Sequence, residues 1–407
     1  MAKLKVIGGA PLKGNIELIS DELTILACQA ASLLATSGTV ILDHVQSTPK
    51  IVATNKVLQK IGVKLAYNRH EEILKLDAGW HLTSVELTAN EVQMVGTVLA
   101  RCREVSLIKA PEISQQVSEL KIIFNQLGAT VTENDTQLTI TANHLEGQAF
   151  DVSSWSVETI INILTVATLT QGITVLNGVP NLPVVSSLVE LLNKMGAKVH
   201  RTNNSTVRIQ GVNYLHGADL YIINDQLQAG FYLMLAAATG GDLVALGAYA
   251  DYLQPVTKYL EAAGNTIITQ RNGIRVIGTQ ILLPTKPNPD LLAIADLRIQ
   301  IGILAVQARQ LGQTQFEFSK TLAEEIHPWL GSQVHYQEGR GMTLDGPINS
   351  LPTTLTYHES TIGLVGLALA LTVKQTTWLD QAELLGELDK KLVDHLASLG
   401  AQIKIEF

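Results

Sequence analysis

One line of sequence occurs six times, and that periodicity restricts the fold more than any other feature. "FNQLGATVTENDTQLTITANHL" (124–145) reads as a helix end, a strand, a turn and a second strand. Variants begin at Val57 ("VLQKIGVKLAYNRHEEILKLD"), Leu191 ("LLNKMGAKVHRTNNSTVRIQG"), Tyr259 ("YLEAAGNTIITQRNGIRVIG") and His327 ("HPWLGSQVHYQEGRGMTLDG"). The sixth is "HLASLGAQIKIEF". Their shared glycines are Gly62, Gly128, Gly196, Gly264, Gly331 and Gly400, at spacings of 66, 68, 68, 67 and 69. Regular self-similarity of this kind is settled before any single element is assigned. A glycine between an amphipathic helix and a strand is expected at the helix C′ position, where the backbone turns left-handed.

Each copy carries a second helix upstream, as in "VETIINILTVATLTQG", "LQAGFYLMLAAATGG" and "STIGLVGLALALTV". These are apolar nearly all round, which predicts burial at the centre of a domain. A short strand follows each, such as "ITVLNGV" and "DLVALGA". The repeating unit is therefore β-α-β-α-β-β, an α/β fold. The sixth copy ends one strand short, and "LKVIGG" near the N-terminus resembles "IRVIGT" (274–279). We expect the N-terminal strand to complete the sixth unit. Six units divide into two domains of three: residues 17–216, and residues 1–16 with 217–407.

Composition limits the function. Hydrophobic residues make up 46% and charged residues 16%, which fits a packed globular chain. The net charge of −8 argues against nucleic acid as a partner. The most apolar run, residues 361–373, is too short to cross a membrane. Cys28 and Cys102 lack metal-type spacing, and so few thiols suit a soluble cytoplasmic protein. The ten histidines form no metal or triad pattern, and no phosphate loop or nucleophile elbow is present. Nothing in the sequence asks for a metal or cofactor.

The starts of the buried helices carry polar residues: Ser20, Asp21, Asn90, Ser154, Ser156, Asn224, Asp225, Asp296, Glu359 and Ser360. They read first as helix caps, each stabilising by about 1 kcal/mol, and alternatively as the wall of an anion site between the domains.

Six β-α-β-α-β-β units in two domains, together with "KLKVIGGAPLKGNIELIS" and the "LGA" strand entries, resemble the enolpyruvyl transferases. The likeness is nearer to the branch that acts on UDP-N-acetylglucosamine in peptidoglycan synthesis. It implies a two-domain inside-out α/β barrel and transfer of enolpyruvyl from phosphoenolpyruvate to a sugar hydroxyl. It places a UDP-sugar or other anionic ligand in an interdomain cleft. The site that the resemblance implies is only partly present. Asp296 in "IADLRIQIG" matches the family's helix-opening Asp, the expected catalytic base. Lys320 stands where the family has a donor-binding Arg, the expected substrate contact.

Other positions depart from the family. The first-helix motif Ser-Gly-x-Lys-Asn becomes "LISDELTIL", with Glu22 and Leu23 at the last two places. An anion there reverses an attraction of about 1–4 kcal/mol at contact distance. The mobile Cys loop becomes "LIKAPEISQQV", with Ala110 at the Cys and Gln115 at an Arg. Ala89, Thr361 and Glu387 fall at further Arg positions. Cys102 is the only nearby thiol. The resemblance with these losses implies a transferase-shaped pseudoenzyme that binds a sugar nucleotide or a protein partner. The alternative is an active transferase with an altered site. An RNA 3′-phosphate cyclase-like enzyme built from related units is disfavoured by charge.

Overall fold

All six marker glycines adopt left-handed φ, from 52° at Gly331 to 113° at Gly62. Gly62 shows why: its N–H closes the preceding helix by donating to the carbonyls of Leu58 and Gln59, and Val63 then opens the return toward the strand Lys64–Asn68. The computed structural model describes residues 2–292, 294, 296–316, 320–337, 341–388 and 391–406. Residues 338–340 and the side chain of Glu387 lie outside the described residues.

The chain divides into two compact units: Ser20–Ile223, and Met1–Ile19 with Asn224–Phe407. The crossings fall slightly later than the sequence suggests, and strand pairing explains the shift. Lys13–Glu17 lies parallel to Asp242–Leu246, so it stays with the second of these units. Leu215–His216 and Asp219–Tyr221 pair with Ala35–Ser37 and Val40–Asp43, so the chain stays in the first unit until Ile223.

The unit Ser20–Ile223 holds three four-stranded sheets with one strand order. The third shows the β-α-β-α-β-β sequence of elements directly: Ala149–Asp151, Val157–Val166, Ile173–Asn177, Pro183–Lys194, Lys198–Arg201 and Val207–Gln210. Its first two strands are parallel and the remaining pairings antiparallel. In the other unit, Lys3–Ile7 sits between Thr376–Leu379 and Gln402–Glu406, antiparallel to both. The N-terminal strand thus fills the interior of the last sheet. Among the described residues the sheets remain separate ladders, and none closes into a continuous barrel.

Each unit buries its apolar helices. In Gln226–Ala238 every residue but Leu227 is buried, and in Ser360–Thr372 everything from Ile362 onward is. Strands alternate, as in Glu104–Ile108, whose Val105 and Leu107 face the core. Small residues let the helices approach. A Cβ on Gly302 would lie 2.5 Å from Met234 Sδ, and one on Gly96 would lie 2.5 Å from the Asn162 carbonyl oxygen. In the second central helix, 3₁₀ geometry over Ala89–Met94 gives way to α geometry over Val95–Cys102. Asn162 repairs that join: its Oδ1 accepts from Gly96 N–H at 2.6 Å, and its Nδ2 donates to the Val92 carbonyl at 2.9 Å.

Candidate functional site

Asp296 is the N-cap of the helix Leu297–Gln307, and its Oδ1 accepts the Arg298 N–H at 2.9 Å. Its extended backbone (φ −83°, ψ 130°) lets the Arg298 side chain fold back onto it. Arg298 Nε meets Asp296 Oδ1 at 3.2 Å and Nη2 meets Oδ2 at 3.1 Å. The remaining arm, Nη1, reaches Asp225 Oδ2 at 2.6 Å. Asp225 in turn caps Gln226–Ala238, with Oδ1 accepting from Leu227 and Gln228 N–H at 2.9 Å each. One guanidinium thus links the N-caps of two adjacent buried helices. Burial works against its charge, but Asp225 and then Asp296 outweigh burial and hold its pKa above the ordinary guanidinium value.

Sequence reasoning named Asp296 and Asp225 but missed Arg298. The available signal was a lone charge within the otherwise uncharged "LRIQIGILAVQ". Lys320 does not join this cluster. Its ammonium is exposed, and its charged partner among the described residues is Glu324, one turn along its own helix at 3.7 Å.

In the unit Ser20–Ile223 the positions that depart from the family have structural tasks. Glu22 accepts a hydrogen bond from the Thr48 hydroxyl, the N-cap of Pro49–Ile61. Ala110 is extended and leads directly into a 3₁₀ turn, Pro111–Ile113, that runs on into the helix Ser114–Gln126. The segment is a proline-stiffened connection rather than a glycine loop. Gln115 donates to Glu119 Oε1 at 2.8 Å. Glu119 is buried, and its carboxylate receives the Ser156 N–H at 3.1 and 3.2 Å and the Ser156 hydroxyl at 2.6 Å. It therefore occupies the start of the helix Val157–Val166, where Ser156 itself makes no cap bond. Sequence reasoning missed Glu119, because one acid on an amphipathic helix carries no distinguishing pattern.

Cys102 ends the helix Val95–Cys102, and burial raises its thiol pKa with Arg101 only partly opposing. That is the opposite of an activated thiolate. Arg101 donates to the carbonyls of Leu33, Ala35, Gly79 and Trp80. Lys109, beside the connection, is held by Glu133 at 2.7 Å and by the Asn134 carbonyl at 2.9 Å. Hydrogen bonds from Lys109 and then Lys121 pull the Glu133 carboxyl down to about 2. A carboxyl depressed in the folded state stabilises above its unfolded pKa and loses that contribution as pH falls through the folded one. The Glu133 contribution should therefore be full above about pH 5 and fade toward pH 2. Titration of its side-chain carbon resonance should show the low midpoint, and Lys109→Ala should raise it. A midpoint near 4.5 in the parent protein would refute this.

Five buried helices thus begin on a carboxylate of the chain itself. Asp21 accepts the Thr24 N–H at 2.8 Å, and Glu91 closes a capping box with Thr88. Glu119, Asp225 and Asp296 serve the others. Capping, one of the two readings left open by the sequence, is observed at each of these groups. Glu359, at the start of Ser360–Thr372, makes no cap bond. Two cavities within the unit containing Asn224–Phe407 are small. One of about 40 Å³ touches Arg298, Gln228 and Tyr232, and one of about 220 Å³ lies along His327 and Tyr336. Small-molecule pockets occupy roughly 300–1,000 Å³. Among the described residues no cluster of three or more His, Cys, Asp or Glu could hold a metal. No described helix is long and apolar enough to cross a membrane.

Comparison with known proteins agrees with this architecture. UDP-N-acetylglucosamine 1-carboxyvinyltransferase 1 of Halalkalibacterium halodurans is 28% identical, over 99% of this chain and 94% of its own length. The enolpyruvyl transferase NikO from Streptomyces tendae superposes with a TM-score of 0.80 at 17% identity, over 99% of this chain and 98% of its own. EPSP synthase from Acinetobacter baumannii gives 0.79 at 16%, over the whole of both chains. The profile of the EPSP synthase (3-phosphoshikimate 1-carboxyvinyltransferase) family matches residues 116–326, just over half of the sequence, and the chain belongs to that family of enolpyruvyl transferases.

Proposed function

We propose that this chain binds a sugar nucleotide, of the UDP-N-acetylglucosamine type named for its Halalkalibacterium relative, and acts as a regulatory pseudoenzyme rather than an efficient transferase. One observation carries the reading: the starts of five buried helices are already closed by the chain's own carboxylates. A helix start favours an anion through its free N–H groups and its dipole. With a carboxylate in place, both attractions are largely satisfied. The cations follow the same pattern. Arg298 is balanced by two aspartates, Lys109 by Glu133, and Lys320 points at Glu324. Phosphoenolpyruvate is small and multiply anionic, and it would find little to hold it at these groups. A neutral sugar hydroxyl could still be accepted by Asp296.

Calorimetry with each ligand separately tests the reading. UDP-N-acetylglucosamine should bind, and phosphoenolpyruvate should show no heat at millimolar concentration. Phosphate release from the two together should stay at background. Turnover that disappears in Asp296→Ala would overturn the pseudoenzyme and favour the second reading, an active enolpyruvyl transferase with an altered site. The full-length similarity to a named carboxyvinyltransferase is the observation on that side.

A further inference from the structure

We propose that Arg298 is a positioning residue for Asp296, turning its carboxylate so that a single acceptor site, on Oδ2, is left for a ligand hydroxyl. The inference rests on the preceding reading, in which Asp296 meets a sugar hydroxyl. A carboxylate offers about four acceptor sites. Among the described residues Asp296 uses three of them: two on Oδ1, for the Arg298 N–H and Nε, and one on Oδ2, for Nη2. Asp225 is filled in the same way, with two on Oδ1 and one on Oδ2. Exposure separates the two. The Asp225 side chain is 7% exposed and the Asp296 side chain 23%, so only the latter can meet a ligand.

Helix stability does not explain an arginine at this place. A cation in the first turn opposes the helix dipole. Side chains two residues apart on a helix do not normally meet. Both objections vanish if the guanidinium's purpose is to hold two N-cap carboxylates together. The task also requires arginine. Its planar fork presents Nε and Nη2 side by side to one carboxylate and Nη1 to another, which a lysine ammonium cannot reproduce. Two aspartates against one arginine leave a net negative cluster, so the ligand group it suits is a neutral hydroxyl rather than a phosphate.

The test uses full-length protein with ¹³C-carboxyl aspartate, the Asp296 resonance being assigned by Asp296→Asn. Arg298→Gln and Arg298→Lys should both move that resonance. Each should weaken UDP-N-acetylglucosamine binding at least tenfold. Combining Arg298→Gln with Asp296→Ala should weaken binding no further than Asp296→Ala alone, since Arg298 acts through Asp296. An unmoved resonance in Arg298→Gln, full retention of binding in Arg298→Lys, or additive losses in the double variant would each overturn the proposal. If the parent protein fails to bind the sugar nucleotide, the functional reading falls, and the carboxyl resonance still decides the positioning role.

Discussion

Replacing Gly96 by valine should lower the thermal midpoint of the unit Ser20–Ile223 by about 8–16 °C, the equivalent of about 4 kcal/mol for a unit of this size. The new Cβ would sit 2.5 Å from the Asn162 carbonyl oxygen, which belongs to the backbone of a buried helix and cannot swing aside. Overpacking of this kind costs about 1–3 kcal/mol. The same insertion pushes Gly96 N–H away from Asn162 Oδ1, its partner at 2.6 Å. A buried donor left without an acceptor costs about 1–3 kcal/mol more. Gly386→Ala provides the control, because its Cβ meets nothing within 4 Å. Calorimetric scanning of both variants decides the matter. A Gly96→Val midpoint within 2 °C of the parent would mean that the two helices are not held as closely as described.

Arg298→Met should destabilise the unit that contains Asn224–Phe407 by about 3 kcal/mol. Removing one partner from a buried ion cluster costs about 3–5 kcal/mol, because the charges left behind stay desolvated. The lower end applies, since the Arg298 side chain is 32% exposed and solvent softens the loss. Asp225 bears most of it, being 7% exposed and losing a bond of 2.6 Å. Asp225→Asn keeps the oxygen that caps Leu227 and Gln228 but removes the charge. Added to Arg298→Met, it should restore about half the loss. Urea denaturation followed by far-ultraviolet circular dichroism gives both numbers. A loss below about 1 kcal/mol for Arg298→Met would place the cluster among ordinary surface pairs.

The fold was largely legible in the sequence, for local reasons. A helix that must end before a strand leaves a glycine at C′, and all six glycines took the left-handed backbone their spacing suggested. Helices apolar on every side could only be central, as Ser360–Thr372 is. The site was less legible, because its decisive contacts join residues far apart in the chain. Arg298 reaches Asp225 across 73 positions, and Ser156 donates to Glu119 across 37. No local pattern announces such pairs. The family positions that changed, such as Gln115 and Glu22, could be read as losses from the sequence alone. That each had acquired a structural partner, Glu119 and Thr48, could not. Lys320 illustrates the converse: alignment placed it at the site, and its own helix supplies its partner.

The position of Lys3–Ile7 inside the last sheet imposes an order of assembly during synthesis. Ser20–Ile223 is continuous in sequence and can fold as soon as it leaves the ribosome. Lys3–Ile7 must wait for segments made much later, since both its neighbours lie beyond residue 375. At roughly 5–20 residues per second, that interval lasts on the order of 20–80 seconds, with a strand whose Leu4 and Val6 belong to the core left unpaired. A chaperone-free route to the native state therefore depends on the second half being finished before that strand finds another partner.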